Sequence, residues 1–227
     1  MAFLNKSVDA NTMEEFSFDV DKIYNFYHRY IKGHGIRAGW ATLEDQINSY
    51  KEASSCSAQI WNNFGNVLDV GSGQGHFMQF LRQERDFTGR YTGIELLDVL
   101  HKEAVEFYGK FSDTHFIYGD FLSHNFGSDR FDWVVSLGSL AVKQIPQNEC
   151  DLAFCRKMIN LAQYGVSIFL NDINYMRPGR LEEVPELATH NVDEFIFMIQ
   201  ENFTTSKIEV KHYPDAQSQP TMIHIIL

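Results

Sequence analysis

The sequence predicts an α/β protein with a doubly wound, seven-stranded sheet that is mostly parallel, with one antiparallel strand at its C-terminal end. An apolar run, a glycine-rich turn and an amphipathic helix follow one another over residues 67–77, and strand and helix patterns alternate from there to residue 202. Two strand-like runs in succession then end the chain. Alternating elements form parallel βαβ units, whereas successive strands favour a hairpin, which inserts one antiparallel strand.

The periodicity of the apolar residues places the core elements along the chain. Strands are predicted over 67–71, 91–95, 114–118, 131–136, 165–171, 204–212 and 221–227. Helices are predicted over 75–85, 98–109, 147–163 and 191–202. No internal repeat divides this series, so it is expected to fold as one unit.

Two further helices are predicted ahead of the first strand. Apolar and aromatic residues recur at helical spacing from Phe18 to Ile31, and the glycines at 33 and 35 end that pattern. Thr42 or Asp45 then caps a second helix that runs to about residue 60. We expect residues 1–60 to form a helical cap or lid on a core of residues 61–227, within a single domain overall.

Composition excludes some classes of function. The 227 residues are 44% hydrophobic and 14% aromatic, which is typical of a globular protein. The net charge of -11 has the wrong sign for phosphate binding, so a nucleic-acid partner is not expected. The one basic run with interleaved aromatics, residues 28–37, is interpreted as a solvated helix end, with binding of an anionic acceptor group as the alternative.

The cysteines and the apolar segments indicate the cellular compartment in which the protein is expected. Three cysteines are too few and wrongly spaced for a zinc site, and an odd number favours a reducing compartment. Neither a signal peptide nor an apolar stretch of membrane-spanning length is apparent. We therefore expect a cytoplasmic protein without membrane association, either a monomer or a homodimer.

The turn after the first strand has an informative glycine spacing. Glycines at 71, 73 and 75 allow a ligand to approach the backbone, and the unpaired N–H groups of a helix start follow them. A dinucleotide-binding turn would place its third glycine at position 76, where this sequence has His76. The pattern here is Asp69-x-Gly-x-Gly-x-Gly.

This pattern resembles the first motif of the class I S-adenosylmethionine (SAM) dependent methyltransferases. Tyr91–Glu95 is similar to the family's second strand, which ends in an acid, and His115–Phe121 to the third strand, which ends in Asp-aromatic. Phe131–Gly138 resembles the fourth strand. The resemblance covers roughly residues 60 to 227. It implies a Rossmann-like fold with SAM as the cofactor and S-adenosylhomocysteine (SAH) as the product.

The resemblance also implies which residues bind the cofactor. Glu95 would bind the ribose, Leu96 would pack on the adenine, and Asp120 with Phe121 would frame the base. Asp69 would orient the turn and approach the SAM ammonium group. The residues beneath or beside the methionine portion would be Gly71, Ser72, Gly73, Gly75, Ser136 and Gly138.

Three cap residues are further cofactor-site candidates. The segment with Trp40, Gln46 and Tyr50 is similar to one found in a group of small bacterial methyltransferases. Gln46 and Tyr50 are i,i+4 neighbours on one helix face, so both can reach the same ligand. Simple packing of these side chains is the alternative interpretation.

Candidates for a general base lie where this family keeps acceptor-site residues: His34, Asp172, Tyr175 and His190. Spacing assigns a partner to none of them. The segment 171–174 resembles the Mg²⁺ pair of catechol-type methyltransferases, but residues 135–138 supply no second acid. We therefore expect no metal.

The predicted function is methyl transfer to an oxygen, nitrogen or carbon atom of a small molecule, mainly by positioning and desolvation. The motif typical of DNA amino-methylation is missing from residues Ser136–Leu140, after the fourth strand. Methylation at pyrimidine C5 needs a thiolate nucleophile, and no cysteine lies in that region before Cys150. The alternatives are an RNA or protein methyltransferase that uses residues 28–37, a non-catalytic SAM-binding regulatory protein and, more distantly, a nicotinamide enzyme.

Overall fold

Seven strands form one sheet at the centre of the molecule. The structure is a computed structural model that describes residues 18–34, 40, 42–56, 61, 65–213 and 220–227. The strands are β1 (Asn66–Val70), β2 (Arg90–Glu95), β3 (Thr114–Tyr118), β4 (Phe131–Ser136), β5 (Ala162–Asn171), β6 (Lys207–His212) and β7 (Pro220–Ile226).

Helices lie before the first strand and between the later ones. They are α1 (Val20–His34), α2 (Leu43–Ala53), α3 (His76–Glu84), α4 (Asp98–Tyr108), α5 (Gln147–Leu161), α6 (Arg180–Glu183) and α7 (Val192–Asn202). None of the helices within the described ranges is long and apolar enough to span a lipid bilayer.

The strand order is β3-β2-β1-β4-β5-β7-β6. Strands β1 to β5 are parallel, and β7 pairs antiparallel with both β5 and β6. The predicted seven-stranded, mostly parallel, Rossmann-like sheet with one antiparallel C-terminal strand is therefore confirmed.

The sheet is buried on both faces because its central strands alternate between two hydrophobic clusters. In β1, Val67 packs in one cluster while Leu68 and Val70 pack in the other. In β4, Trp133 and Val135 share the cluster of Val67. Successive side chains of a strand point to opposite faces, so a continuous apolar run covers both faces of a buried parallel strand.

The topology places a crevice beside β1. The strand has β2 on one side and β4 on the other: the chain passes from β1 outward to β2 and β3, and then crosses back over to β4, where the winding of the sheet reverses. Ligands of open α/β sheets bind at such a switch point. The glycine turn and the ends of β2, β3 and β4 all lie at this edge of the sheet.

The N-terminal helices differ in extent from the prediction. Thr42 caps α2 and accepts a hydrogen bond from the N–H of Asp45, which decides between the two predicted caps. Helix α2 ends at Ala53, not near residue 60, because the backbone leaves the helical region at Ser54 (φ −101°, ψ 16°), whose hydroxyl donates to the carbonyl of Tyr50. Helix α1 continues through Gly33 to His34.

Other boundaries shift by a few residues. Strand β5 begins at Ala162, three residues before the predicted start, and α5 ends correspondingly at Leu161. The short helix α6 was not predicted, because four residues carry too little periodicity to identify it.

Candidate functional site

The glycine turn is fixed by backbone hydrogen bonds. The N–H groups of Gly71 and Ser72 both donate to the carbonyl of Ile94, at 2.9 and 3.1 Å. Gly71, Gly73 and Gly75 have φ values of 75°, 54° and 79°, a left-handed region that side chains other than glycine rarely adopt. The turn is therefore held against the end of β2 at a position where α3 begins.

Two of these glycines are also required for space. A Cβ on Gly71 would lie 2.3 Å from the Oγ of Ser139, whose hydroxyl donates to the carbonyl of Val70 at 2.7 Å. A Cβ on Gly75 would lie 2.9 Å from the rings of both Phe116 and Tyr108. Gly75 thus allows α3 to approach its neighbours, while Gly71 lies on the cavity side of the turn.

A cavity of about 960 Å³, part of it open to solvent, lies at the carboxyl edge of the sheet. Most of the predicted cofactor residues line it: Trp40, Gln46, Tyr50, Asp69, Gly71, Ser72, Gly73, Glu95, Leu96, Asp120, Phe121 and Gly138. Gly75 and Ser136 are not among the lining residues, and Ser136 is fully buried. The roles of all fourteen residues toward a ligand stay predictions.

Glu95 holds the turn as well as facing the cavity. Its Oε2 accepts from the N–H of Gly73 at 2.7 Å, and its Oε1 accepts from the N–H of Leu97 at 2.8 Å. Burial raises the pKa of this carboxyl, and the backbone donors oppose that shift. Each carboxylate oxygen keeps a second lone pair, with which it can accept a further hydrogen bond.

Asp69 lies deeper in the same crevice and is 2% exposed. The pKa of its carboxyl is raised to about 7, because burial outweighs the hydrogen bond donated by the hydroxyl of Tyr91, which lowers the pKa, and the neighbouring Glu95 carboxylate adds to the rise. Asp69 therefore titrates near neutral pH. Tyr91 was not among the predicted site residues, because an aromatic residue in a strand is usually a packing residue.

The third strand ends in a structured loop. The carboxylate of Asp120 accepts from the N–H groups of Leu122 and Ser123, at 3.2 and 2.9 Å. Phe121 is buried, and its ring centroid lies 5.0 Å from that of Phe154. Both residues line the cavity, but their described contacts hold the loop together.

Helix α2 forms one part of the cavity wall on the side of the cap. The amide of Gln46 donates from Nε2 to the hydroxyl of Tyr50 at 2.9 Å, one turn along the helix. The ring of Trp40 lies 6.0 Å from that of Tyr50 and 5.4 Å from that of Phe169. These three predicted cap residues are therefore together on the cavity wall.

Helix α1 forms the other part of this wall, which the sequence analysis did not identify as a site. Tyr27 donates its hydroxyl to the carbonyl of Gly138 at 2.9 Å, and Phe18 and Ile23 also line the cavity. Their helical spacing was interpreted as packing alone. A repeating aromatic stripe does not by itself indicate which of its members face a cavity.

Three of the four predicted catalytic residues, Asp172, Tyr175 and His190, are not among the residues that line this cavity. Asp172 and His190 are joined by a β-bridge, and the His190 ring faces the buried Asp151 carboxylate at 3.3 Å. Tyr175 stacks on His212, with ring centroids 4.4 Å apart. None of these lines the cavity, and the side chain of His34 lies outside the described residues. Their acceptor-site role stays a prediction.

The described residues also bear on the expectation about a metal. Within the described ranges, no group of three or more His, Cys, Asp or Glu side chains is placed to hold a metal ion.

The donor and acceptor set of the cavity fits a nucleoside linked to an amino acid. The Oγ of Ser72 and the Oε1 of Gln74 are buried and have no hydrogen-bond partner among the described residues, although both residues line the cavity. Such orphaned groups favour a polar ligand that would satisfy them. Carboxylates at the ends of β1, β2 and β3 supply acceptors for ribose hydroxyls, an adenine amino group and an ammonium group.

Residues 67–165 match the family model described as a methyltransferase domain. This segment contains the glycine turn and the ends of the first four strands. Over these residues the chain carries a methyltransferase domain. The resemblance noted in the sequence is thereby confirmed, and SAM is the cofactor that this family uses.

Solved structures support the fold of this methyltransferase domain. Magnesium protoporphyrin IX methyltransferase from Synechocystis PCC 6803, with bound SAH, has 13% identity and a TM-score of 0.62, covering 91% of this chain and 97% of that one. The N-methyltransferase NodS from Bradyrhizobium japonicum WM9, in complex with SAH, has 14% identity and a TM-score of 0.65, covering 91% and 98%. At identities this low, the comparison shows a shared fold and nothing about the substrate.

A third solved structure is the plantazolicin methyltransferase BpumL in complex with a pentazolic desmethylPZN analog and SAH. It has 9% identity and a TM-score of 0.63, and the alignment covers 89% of each chain. No curated protein matches the chain in a sequence search.

Proposed function

We propose that this chain transfers a methyl group from SAM to an oxygen, nitrogen or carbon atom of a small molecule. The observation that carries the proposal is the cavity at the carboxyl edge of the sheet. Its one side is the glycine turn with the ends of β2, β3 and β4, and its other side is an aromatic wall from α1 and α2.

The cofactor side of the cavity would hold SAM through the predicted residues. Gly71, Ser72 and Gly73 would lie beneath the methionine portion, Asp69 would face its ammonium group, and Glu95 would accept from the ribose hydroxyls. When bound, SAM supplies a methyl group already activated by its sulfonium. The protein then has to orient the acceptor and keep water away.

The cap side would bind the acceptor. Phe18 and Tyr27 present aromatic surface to the cavity beside the cofactor candidates Trp40 and Tyr50, which suits a compact and largely apolar acceptor. Residues 1–60 would then act as a cap on the core of residues 61–227. Proton removal is assigned to no residue here, because Asp172, Tyr175 and His190 lie outside the cavity lining.

The charge of the cavity favours a small molecule over RNA. Among the described lining residues there is no Lys or Arg, and three of them are Asp or Glu. Binding of RNA is driven mainly by phosphate neutralisation, which this lining does not offer. The names of the magnesium protoporphyrin IX and plantazolicin methyltransferases describe small-molecule and peptide acceptors for the same fold.

The test is the transfer of a labelled methyl group. Purified chain is incubated with methyl-labelled SAM and with cell extract that has been separated into metabolite, RNA and protein fractions. We expect label in the metabolite fraction with the unaltered chain and none with Gly73→Arg, which places a side chain where φ is 54°. Label in the RNA or protein fraction, or in no fraction, would contradict the proposal.

A further inference from the structure

Tyr91 reaches the cofactor crevice from the neighbouring strand. It is 1% exposed, and its hydroxyl donates to Oδ2 of Asp69. In the β1–β2 register, Asp69 pairs with Gly93 and Val67 pairs with Tyr91. Because Gly93 has no side chain, β2 offers Asp69 the Tyr91 hydroxyl from two residues earlier on the same face of the sheet.

We propose that Tyr91 is a positioning residue for cofactor recognition, which keeps Asp69 ionised and oriented so that its carboxylate faces the ammonium group of the cofactor. This inference rests on the proposed function, since it requires that the cavity binds SAM. The hydroxyl occupies Oδ2, and no hydrogen bond to Oδ1 is found among the described residues, so Oδ1 is available to the ligand.

The electrostatic surroundings of Asp69 explain why such a donor is needed. Glu95 on β2 faces Asp69 and disfavours its ionised form, and the phenols of Tyr50 on α2 and Tyr91 on β2 are close to it. His76 on α3 lines the same cavity, and burial lowers its pKa. Of these groups, Tyr91 is the one that donates a hydrogen bond to the Asp69 carboxylate.

The consequence is a pH-dependent affinity for the amino-acid portion of the cofactor. Below its pKa Asp69 is neutral and loses its attraction for an ammonium group, so affinity is expected to rise between pH 6 and 8. Without the Tyr91 hydroxyl the pKa of Asp69 would be higher still. The rise in affinity should then occur at a higher pH.

The test is calorimetric titration of the full chain and of Tyr91→Phe with SAH and with 5′-methylthioadenosine, from pH 6 to pH 8. The second ligand has the same nucleoside but no amino-acid portion, so it reports any general damage to the site. At pH 7, where Asp69 is about half ionised, a rise of its pKa by about one unit would leave about a tenth of it ionised. We therefore expect Tyr91→Phe to weaken SAH binding about fivefold and 5′-methylthioadenosine binding less than about twofold.

A chain that lacks the Asp69 carboxylate tests whether Tyr91 acts on SAH binding through Asp69. In an Asp69→Asn chain, SAH affinity should lose its dependence on pH over this range, and the further change Tyr91→Phe should have no additional effect. Superimposable pH profiles of the unaltered chain and Tyr91→Phe would overturn the inference, as would an equal loss for both ligands. In either case SAH binding by the unaltered chain would leave the proposed function standing, whereas no SAH binding at all would overturn both.

Discussion

Glu95 Oε2 accepts a hydrogen bond from the backbone N–H of Gly73 over 2.7 Å, which links the end of β2 to the middle of the glycine turn. One carboxylate thus organises the turn and faces the cavity, where the family resemblance assigns it to the ribose. Its removal should therefore affect the binding of the whole nucleoside.

The first prediction concerns this carboxylate. Glu95→Gln should weaken SAH binding about 10- to 100-fold, because hydrogen bonds to charged groups contribute about 1.5–3 kcal/mol each. Calorimetric titration measures the change. Glu106→Gln is the matched control, since Glu106 is exposed on α4 and outside the cavity lining, and it should bind as the unaltered chain does. Equal affinities for both variants would contradict the assignment of Glu95.

The second prediction concerns the Gln46–Tyr50 pair on the cap wall. Both side chains are buried, so Tyr50→Phe leaves the amide of Gln46 without its acceptor. The free energy of unfolding should fall by about 1–3 kcal/mol, as urea denaturation measures. Adding Gln46→Leu should recover part of this loss, because removing both polar partners costs less than removing one. Strictly additive losses would show that the pair is not coupled.

The third prediction concerns the attachment of α1. Tyr27 bonds the carbonyl of Gly138, and the N–H of Asp19 donates to Oε1 of Gln144 at 2.9 Å. Tyr27→Phe should raise the rate of tryptic cleavage within α1 about fivefold, since one hydrogen bond contributes about 1 kcal/mol and cleavage requires local opening. Mass spectrometry identifies the cut sites at Lys22 and Arg29.

Tyr164→Phe serves as the control for this experiment, because Tyr164 is an exposed tyrosine on β5 away from α1. Trypsin should cleave α1 of the Tyr164→Phe variant at the same rate as α1 of the unaltered chain. If Tyr27→Phe were cut at that same rate, the bond to Gly138 would have no part in holding the helix.

The fourth prediction concerns pH and the buried end of α2. Burial alone would raise the pKa of Glu52, but hydrogen bonds from His224, Lys211, Tyr213 and Ser55 outweigh it and lower the value to about 2. A carboxyl with a depressed pKa stabilises the fold above its unfolded value, near 4.5, and that stabilisation is lost as the pH falls toward 2.

Glu52→Gln should therefore be less stable than the unaltered chain at pH 7, and its stability should decline less between pH 4.5 and pH 2. Urea unfolding at a series of pH values measures both effects. Glu106→Gln again provides the exposed comparison and should follow the unaltered chain. Parallel curves for Glu52→Gln and the unaltered chain would show that this group does not contribute to acid sensitivity.

Much of the fold was predictable because its signals are local. The alternation of strands and helices, and the left-handed positions at Gly71, Gly73 and Gly75, depend on neighbouring residues, so the sheet and the glycine turn could be predicted with errors of a few residues at their ends. Where α2 ends was missed because the backbone leaves the helical region at Ser54. The sequence pattern is helical on both sides of Ser54, so it does not mark this residue as the end of the helix.

The sequence by itself determined the order of the elements, the turn after β1 and the acids that follow the strands, because carboxyl ends of parallel strands must meet at one edge. Only the tertiary structure decided which side chains meet across elements. It brought Tyr91 to Asp69 and Tyr27 to Gly138, and it kept His190 with Asp151, away from the cavity. Such contacts depend on the packing of distant segments, and no spacing along the chain encodes them.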